Sequence, residues 1–464
     1  MKKLIYLPLL SFLFAGVISC ETDAELVEIP DSTIQRIADA AAAAVSTPSA
    51  SEIASAVELA LQDDLAAEEE VAPATITHSG LITSDETWSN TSIHLLNGRV
   101  IVPDGVRLTI QAGTVVKGIK STDPTKASAI LVARGGKLFA VGTAEHPIIM
   151  TSEDDPIKVD QTYDAGATKL TANDMALWGG LIVCGRAKIS DKNNSGENRI
   201  EGIPATVSYG RYGGDNDNDN SGTMEYISLR HGGTVIGADN EINGVTFGGV
   251  GRETVFNNIE VFATKDDGIE FFGGTVNASN LLVWGQGDDA IDIDQAYAGT
   301  IDGALVILTA ASDHGFEIDG PEGSATGRFT LKNVTVLGAT FNCGALGVDG
   351  EMADFRKGAT GDVLNILFSN FAGGKDVELD ASADAATYSS GKLTFTNIDI
   401  LHPLDADGNS CSNVESLSEI FDDKTDPTES TFESDSTTFA EIVTAKKDDS
   451  GVDESLFSWT FYAR

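Results

Sequence analysis

The chain has 464 residues, 48 glycines against 12 prolines, 7% aromatic residues and a formal net charge of −41. So acidic a surface repels nucleic acid and anionic membrane, so neither is expected as a direct partner, and a polyanionic ligand would need a bridging cation. Neutral glycans, cations and basic proteins stay open, and the glycine excess points to many tight turns and little helix.

Lys2 and Lys3 precede an apolar run from Leu4 to Ile18, too short to span a bilayer, and residues 1–19 read as a secretory signal. The run ends Val17-Ile18-Ser19-Cys20, which resembles a bacterial lipobox. The resemblance implies cleavage before Cys20 and acylation there, with several acyl chains at about 0.8 kcal/mol per buried CH₂ anchoring the protein. A plain signal peptide with an incidental Cys20 is the other reading. The acidic Glu21-Thr22-Asp23-Ala24-Glu25 resembles the surface-export signal of some Gram-negative lipoproteins, which implies the outer membrane and the cell surface. Over residues 20–74, Ile34, Ile37, Ala41 and Val45, then Ile53, Val57 and Leu61, keep helical spacing on either side of Pro48. This acidic, Ala-rich stretch is expected to be a helical tether.

From residue 75 the pattern turns to period two, with strands expected at 98–102, 108–110, 114–116, 130–132, 137–139 and 148–150. A repeat then becomes explicit. Asn258-Ile259-Glu260-Val261, Asn280-Leu281-Leu282-Val283, Gly303-Ala304-Leu305-Val306, Asn333-Val334-Thr335-Val336 and Asn397-Ile398-Asp399-Ile400 share one template, with first steps of 22 and 23 residues. A second template recurs in register: Asn243-Gly244-Val245-Thr246-Phe247, Asp267-Gly268-Ile269-Glu270-Phe271, Asp289-Ala290-Ile291-Asp292-Ile293 and His314-Gly315-Phe316-Glu317-Ile318. Two strands per repeat without helical crossovers predict an all-β solenoid over 75–401. The leading Asn residues resemble the asparagine ladders of right-handed parallel β-helices, which implies that fold. Residues 402–464 lose the repeat, keep helical spacing at Leu417, Ile420 and Phe421, and are expected to cap the open end.

With Ile269, Ile291 and Phe316 pointing inward, Glu270, Asp292 and Glu317 should stack on one outward wall. Asp294 and Asp319 lie two residues further on, and Asp266, Asp267, Asp288, Asp289, Asp313 and His314 fall in the preceding turns. Carboxylates about 4.8 Å apart must bind a cation such as Ca²⁺, share protons or be solvated. The turns Asp266-Asp267-Gly268, Gly287-Asp288-Asp289 and Asp313-His314-Gly315 resemble those of the polygalacturonase branch of β-helix glycosidases. That resemblance implies an inverting hydrolase with Asp289 or Asp288 as general acid, Asp267 and its partner activating water, and His314 orienting the group. Three departures stand against it: Asp266 and Asp313 replace an Asn and a Gly of the pattern, and no substrate-binding Arg-Ile-Lys follows.

A closer resemblance is to a family of bacterial envelope β-helix proteins without an assigned reaction. It is carried by Ala112-Gly113-Thr114, Arg134-Gly135-Gly136, Trp178-Gly179-Gly180, Tyr212-Gly213-Gly214, Phe247-Gly248-Gly249 and Phe271-Phe272-Gly273-Gly274, among others. It implies fold and location, not catalysis. Asp215, Asp217 and Asp219, with Glu225 nearby, imitate the start of an EF-type calcium loop; a metal-free polar turn is the equal alternative. Of Cys184, Cys343 and Cys411, a Cys343–Cys411 disulfide and three buried thiols are both open. The function expected is a lipid-anchored binding or scaffold module for a polysaccharide, cation or envelope protein. The alternative is glycoside hydrolysis.

Overall fold

The computed structural model describes residues 74–461, apart from 124–125, 201–202, 204–206, 238–239, 340–349, 372, 406, 410, 412–414 and 426–429. The chain divides into two units, residues 1–72 and 73–464, and the described residues all belong to the second. The signal segment, Cys20 and the Ala-rich stretch therefore lie outside the described residues, as does Cys343. Among the described residues no helix is long and apolar enough to cross a membrane.

The second unit is a right-handed parallel β-helix. Each coil contributes one short strand and one long strand. The short strands Ala129–Val132, Leu181–Cys184, Val245–Gly248, Ile269–Phe272, Ile291–Asp294, His314–Asp319, Glu351–Arg356, Val377–Leu379 and Phe421–Asp423 stack in parallel as a first face. The long strands, from Gly222–Arg230 through Val255–Phe262, Asn277–Trp284, Thr300–Ile307, Phe329–Leu337 and Gly361–Ser369 to Leu393–Leu401, also pair in parallel. Each bends in the middle, so its two halves form a second and a third face.

The bend has a chemical cause. Asn258, Asn280, Asn333, Asn365 and Asn397 sit at it with φ between 53° and 57°, and Gly303 takes the same place with φ 87°. Asparagine is among the few side chains that tolerate this left-handed region. Its amide then bonds to the rung before: Asn280 Nδ2 donates to Asn258 Oδ1 (3.2 Å), Asn365 to Asn333 (2.7 Å) and Asn397 to Asn365 (3.1 Å). At the rung where Gly303 interrupts the series, Asn333 donates to Asp302 Oδ1 instead (2.6 Å). The leading Asn of the repeat is thus a corner within a long strand, not the residue ahead of a separate one.

Inside, the alternating positions close a single core. Val245, Ile269, Ile291 and Phe316 form one fully buried column and Phe247, Phe271, Ile293 and Ile318 another. Parallel pairing runs past residue 401: Phe421–Asp423 pairs with Val377–Leu379, and Ala440–Val443 with Leu393–Leu401. The segment expected as cap therefore carries one further coil. Around it the helices α1 (Ser382–Ser389), α2 (Leu417–Ile420) and α3 (Phe432–Phe439) close the end. Phe432 lies 5.0 Å from Tyr388, 5.2 Å from Phe395 and 5.6 Å from Phe421, ring centre to ring centre. Cys411 is disulfide-bonded and Cys184 is a free, buried thiol.

Asn333→Ala removes a bond in each direction along the ladder and leaves a Cβ residue without polar compensation in the left-handed region. It should cost about 2 to 3 kcal/mol by urea denaturation, and Asn333→Gly, which relieves the backbone term, less. Equal losses for the two variants would mean that the left-handed corner is not what selects asparagine.

Candidate functional site

The register of the first face sets the site. Thr246, Glu270, Asp292, Glu317, Asp354, Glu378 and Asp422 are successive Cα partners, so their outward side chains form one column on the wall. Two residues on, Phe272, Asp294, Asp319 and Arg356 form a second column. The wall is not open to solvent along its upper part. The loop 185–221 crosses the coils beside it: Ala187 N–H donates to Gly249 O (2.7 Å), Gly274 N–H to Lys188 O (2.8 Å) and Ser190 N–H to Gln295 O (3.0 Å). Tyr212 of this loop packs on Phe272 at 5.8 Å and donates to Gln295 Oε1 (3.1 Å). Glu270 and Asp292 are left only 7% and 8% exposed, and Asp267 only 7%.

At this buried end three carboxylates converge. Oxygens of Asp267, Glu270 and Asp292 lie within 4.8 Å of one another. Asp267 Oδ1 accepts the Asp289 N–H (3.0 Å), and Asn243 Nδ2 donates to Glu270 Oε2. Asp292 Oδ1 and Asn243 Oδ1 have no hydrogen-bond partner although both are buried. Burial, and then the neighbouring carboxylates, push all three acids well above the ordinary carboxylate range. Asp289 and Glu270 weigh most on Asp267, Asp292 and Asp294 on Glu270, and Asp294 and Asp267 on Asp292. Asp294, pushed up to about 7 by burial and by Asp319, likewise keeps one oxygen without a partner.

Further along the same wall the chain supplies its own cations. Arg356 binds Glu317 and donates through Nε to Asp319 Oδ1 (2.8 Å), and Lys357 binds Asp319. These bonds hold Asp319 below the ordinary range in spite of its burial, whereas burial and Asp289 lift Glu317 to about 8. Lower still, the Lys424 ammonium sits among Asp376 (2.9 Å), Glu378 (2.8 Å) and Asp422 (2.9 Å). Between these groups Asp354, raised to about 7 chiefly by burial, keeps an oxygen without a partner.

The residues expected to catalyse hydrolysis are also close together. Asp289 Oδ1 lies 2.8 Å from His314 Nδ1 and 2.8 Å from the His314 N–H, and the bond and charge of Asp289 raise His314 to about 9 against the cost of burial. Oxygens of Asp266, Asp267 and Asp288 fall within 4.8 Å of one another, as do those of Asp288, Asp289 and Asp313. An inverting pair needs roughly 6.5–9.5 Å between carboxyl groups to admit a water, so groups this crowded suit a cation or a shared proton better. A basic pair does follow the His314 coil, at Arg356 and Lys357, but both are engaged by Glu317 and Asp319.

The EF-like residues do not gather. Asp217 pairs with Lys188 (3.2 Å), Asp219 accepts from Ser221 Oγ (3.3 Å), and Glu225 accepts from Asn257 (2.8 Å). Neither they nor Asp215 join any group of three ligating side chains among the described residues. Asn243 belongs to the site although sequence reasoning passed over it. Its signal was present, since Asn243 holds the template position that Asp267 and Asp289 hold in the next coils.

The raised carboxylates have folded-state values above the unfolded value near 4, so their favourable contribution is complete below about pH 4 and is lost as pH rises through 7 and 8. His314, with a folded value near 9, acts in the same direction. In chelator the protein should therefore melt at a higher temperature at pH 5.5 than at pH 8. Asp292→Asn should raise the pH 8 value, because it removes a buried charge without a partner. A melting temperature that climbs from pH 5.5 to pH 8 would contradict this electrostatic account.

No curated protein and no solved structure matches the chain. Residues 80–460 match the family model described as a pectate-lyase-like beta-helix domain. Together with the parallel stack of coils, this match places the chain in the family of pectate-lyase-like β-helix domains.

Proposed function

We propose that the protein is a lipid-anchored binding module of the bacterial cell envelope, in which the first face takes up a divalent cation such as Ca²⁺ and uses it to hold a glycan or an envelope partner. One observation carries the reading. Along one wall the lower carboxylates meet Arg356, Lys357 and Lys424, whereas Asp267, Glu270 and Asp292 converge with no ion pair to a basic side chain among the described residues. An external cation would do for the upper coils what Lys424 does for the lower ones. The donors suit a hard cation: Asp267, Glu270, Asp292 and the free Asn243 Oδ1 are all oxygens, the ligand type calcium prefers. Anchoring rests on the Lys2-Lys3 start, the Leu4–Ile18 run and Cys20.

Calorimetric titration of the purified protein with CaCl₂ should give a saturable heat with a dissociation constant on the order of 10⁻⁶–10⁻³ M. Melting should shift upward with calcium, and both responses should be lost in Glu270→Gln and Asp292→Asn. Absent heat together with identical melts in CaCl₂ and EDTA would overturn the cation reading. A glycan panel read for retention and for reducing-end release separates binding from turnover. Release that disappears in Asp289→Asn would replace the binding module with a hydrolase.

A further inference from the structure

After the last rung the chain turns back. Segment 450–461 runs along the outside of the third face against the order of the coils. Gly451 N–H donates to Asn365 Oδ1 (3.2 Å), and Val452 N–H donates to Thr335 Oγ1 (3.1 Å). Val452 and Phe457 are buried with Leu282 and Leu305. Trp459 meets Tyr226 edge-on at 5.4 Å, and the Phe461 ring lies 5.3 Å from Phe262 and 4.5 Å beneath the Arg230 guanidinium. The segment thus touches the long strands of six coils in reverse order, from Gly361–Ser369 back to Gly222–Arg230. Six rungs span about 24 Å, within reach of a segment of this length.

The coils are shaped to receive it. The outward column of the third face reads Glu260, Leu282, Leu305, Thr335, Leu367, Asp399, so it is apolar or neutral over the four coils from Leu282 to Leu367 and acidic on either side of them. Gly451 has φ 66°, and a Cβ there would lie 2.2 Å from Thr335 Oγ1, so only glycine lets the segment dock this closely.

Four of the coils it crosses carry acids of the column, and the acids of the two coils beyond its reach, Glu378 and Asp422, are met by Lys424. Strands Val255–Phe262, Asn277–Trp284, Thr300–Ile307, Phe329–Leu337 and Gly361–Ser369 follow, each in its own coil, the short strands bearing Thr246, Glu270, Asp292, Glu317 and Asp354. Stacked like charges push neighbouring strands apart. We propose that segment 450–461 is a clamp that holds together, from the third face, the coils that the carboxylate column on the first face drives apart.

Among the described residues no hydrogen bond joins the segment to the column, so coupling between them has to travel through coil spacing. Distant, independent changes add; coupled ones do not. The test is a double-mutant cycle read as melting temperature at pH 8 in EDTA. Truncation after Asp449 should lower it by about 5 °C. In the Glu270→Gln/Asp292→Asn background the same truncation should lower it by less than half as much. Phe457→Ala takes the place of the truncation if the shortened chain does not fold. Additive losses, or no loss on truncation or on Phe457→Ala, would overturn the clamp. The cycle contains no cation, so a failed calcium titration leaves its outcome intact.

Discussion

The fixed spacing of parallel coils governs everything else in this molecule. Once the register is set, a residue type that recurs at one position of the repeat becomes a column with members about 4.8 Å apart. The consequence depends on the chemistry. Apolar columns such as Ile269, Ile291 and Phe316 exclude water from the core. Amide columns such as Asn333, Asn365 and Asn397 bond head to tail and fix the corner. A carboxylate column gains nothing from its own stacking: two charges at this spacing repel by about 3 kcal/mol at an effective dielectric of 20. Glu270, Asp292 and Glu317 therefore require something outside the column to account for them.

The wall answers the requirement differently along its length, and that contrast separates a functional site from tolerated repulsion. Lys424 brings three acids to within 2.9 Å of one ammonium, and Arg356 and Lys357 engage Glu317 and Asp319. The triplet at Asp267, Glu270 and Asp292 is buried and walled in by the 185–221 loop, a setting in which an unmatched charge is costly. Carboxylates serving only solubility would lie exposed and dispersed. These are instead buried and convergent, with an uncommitted amide oxygen at Asn243 beside them.

The repeat itself was legible because it depends on short, local rules: period-two alternation, Asn at corners and steps of 22 and 23 residues. From those alone the inward and outward assignment of Ile269, Glu270, Asp292 and Phe316 followed, and with it the acidic column. What escaped is long-range. Nothing in the repeat shows that Tyr212 comes to rest on Phe272, that Lys424 reaches three acids of two coils, or that Asp217 is taken by Lys188. The Asp215–Asn220 run has the spacing of a calcium loop, but spacing along a chain does not converge oxygens in space. Asn243 escaped for a different reason: a neutral side chain in a row of acids reads as a gap, although its oxygen is the one donor there that adds no repulsion.

Solenoids owe their stability to contacts between neighbouring coils, so a local weakness in the stack cannot be compensated by distant core. The coils bearing the column are instead crossed by two non-repeating segments. The 185–221 loop ties Gly249, Gly274 and Gln295 along the first face, and the C-terminal segment ties Asn365, Thr335, Leu305 and Leu282 along the third. Coils near the N-terminal end, such as those of Leu108 and Leu138, carry no acidic column, yet they too are covered: Ile157 packs on Val115 and Ile149, and Arg186 of the 185–221 loop reaches Asp104 (3.0 Å). Both segments meet on the coils of Glu270 and Asp292, so the coils in which buried carboxylates stack most closely are held from two faces at once, and spacing that repulsion would widen is fixed by contacts outside the repeat.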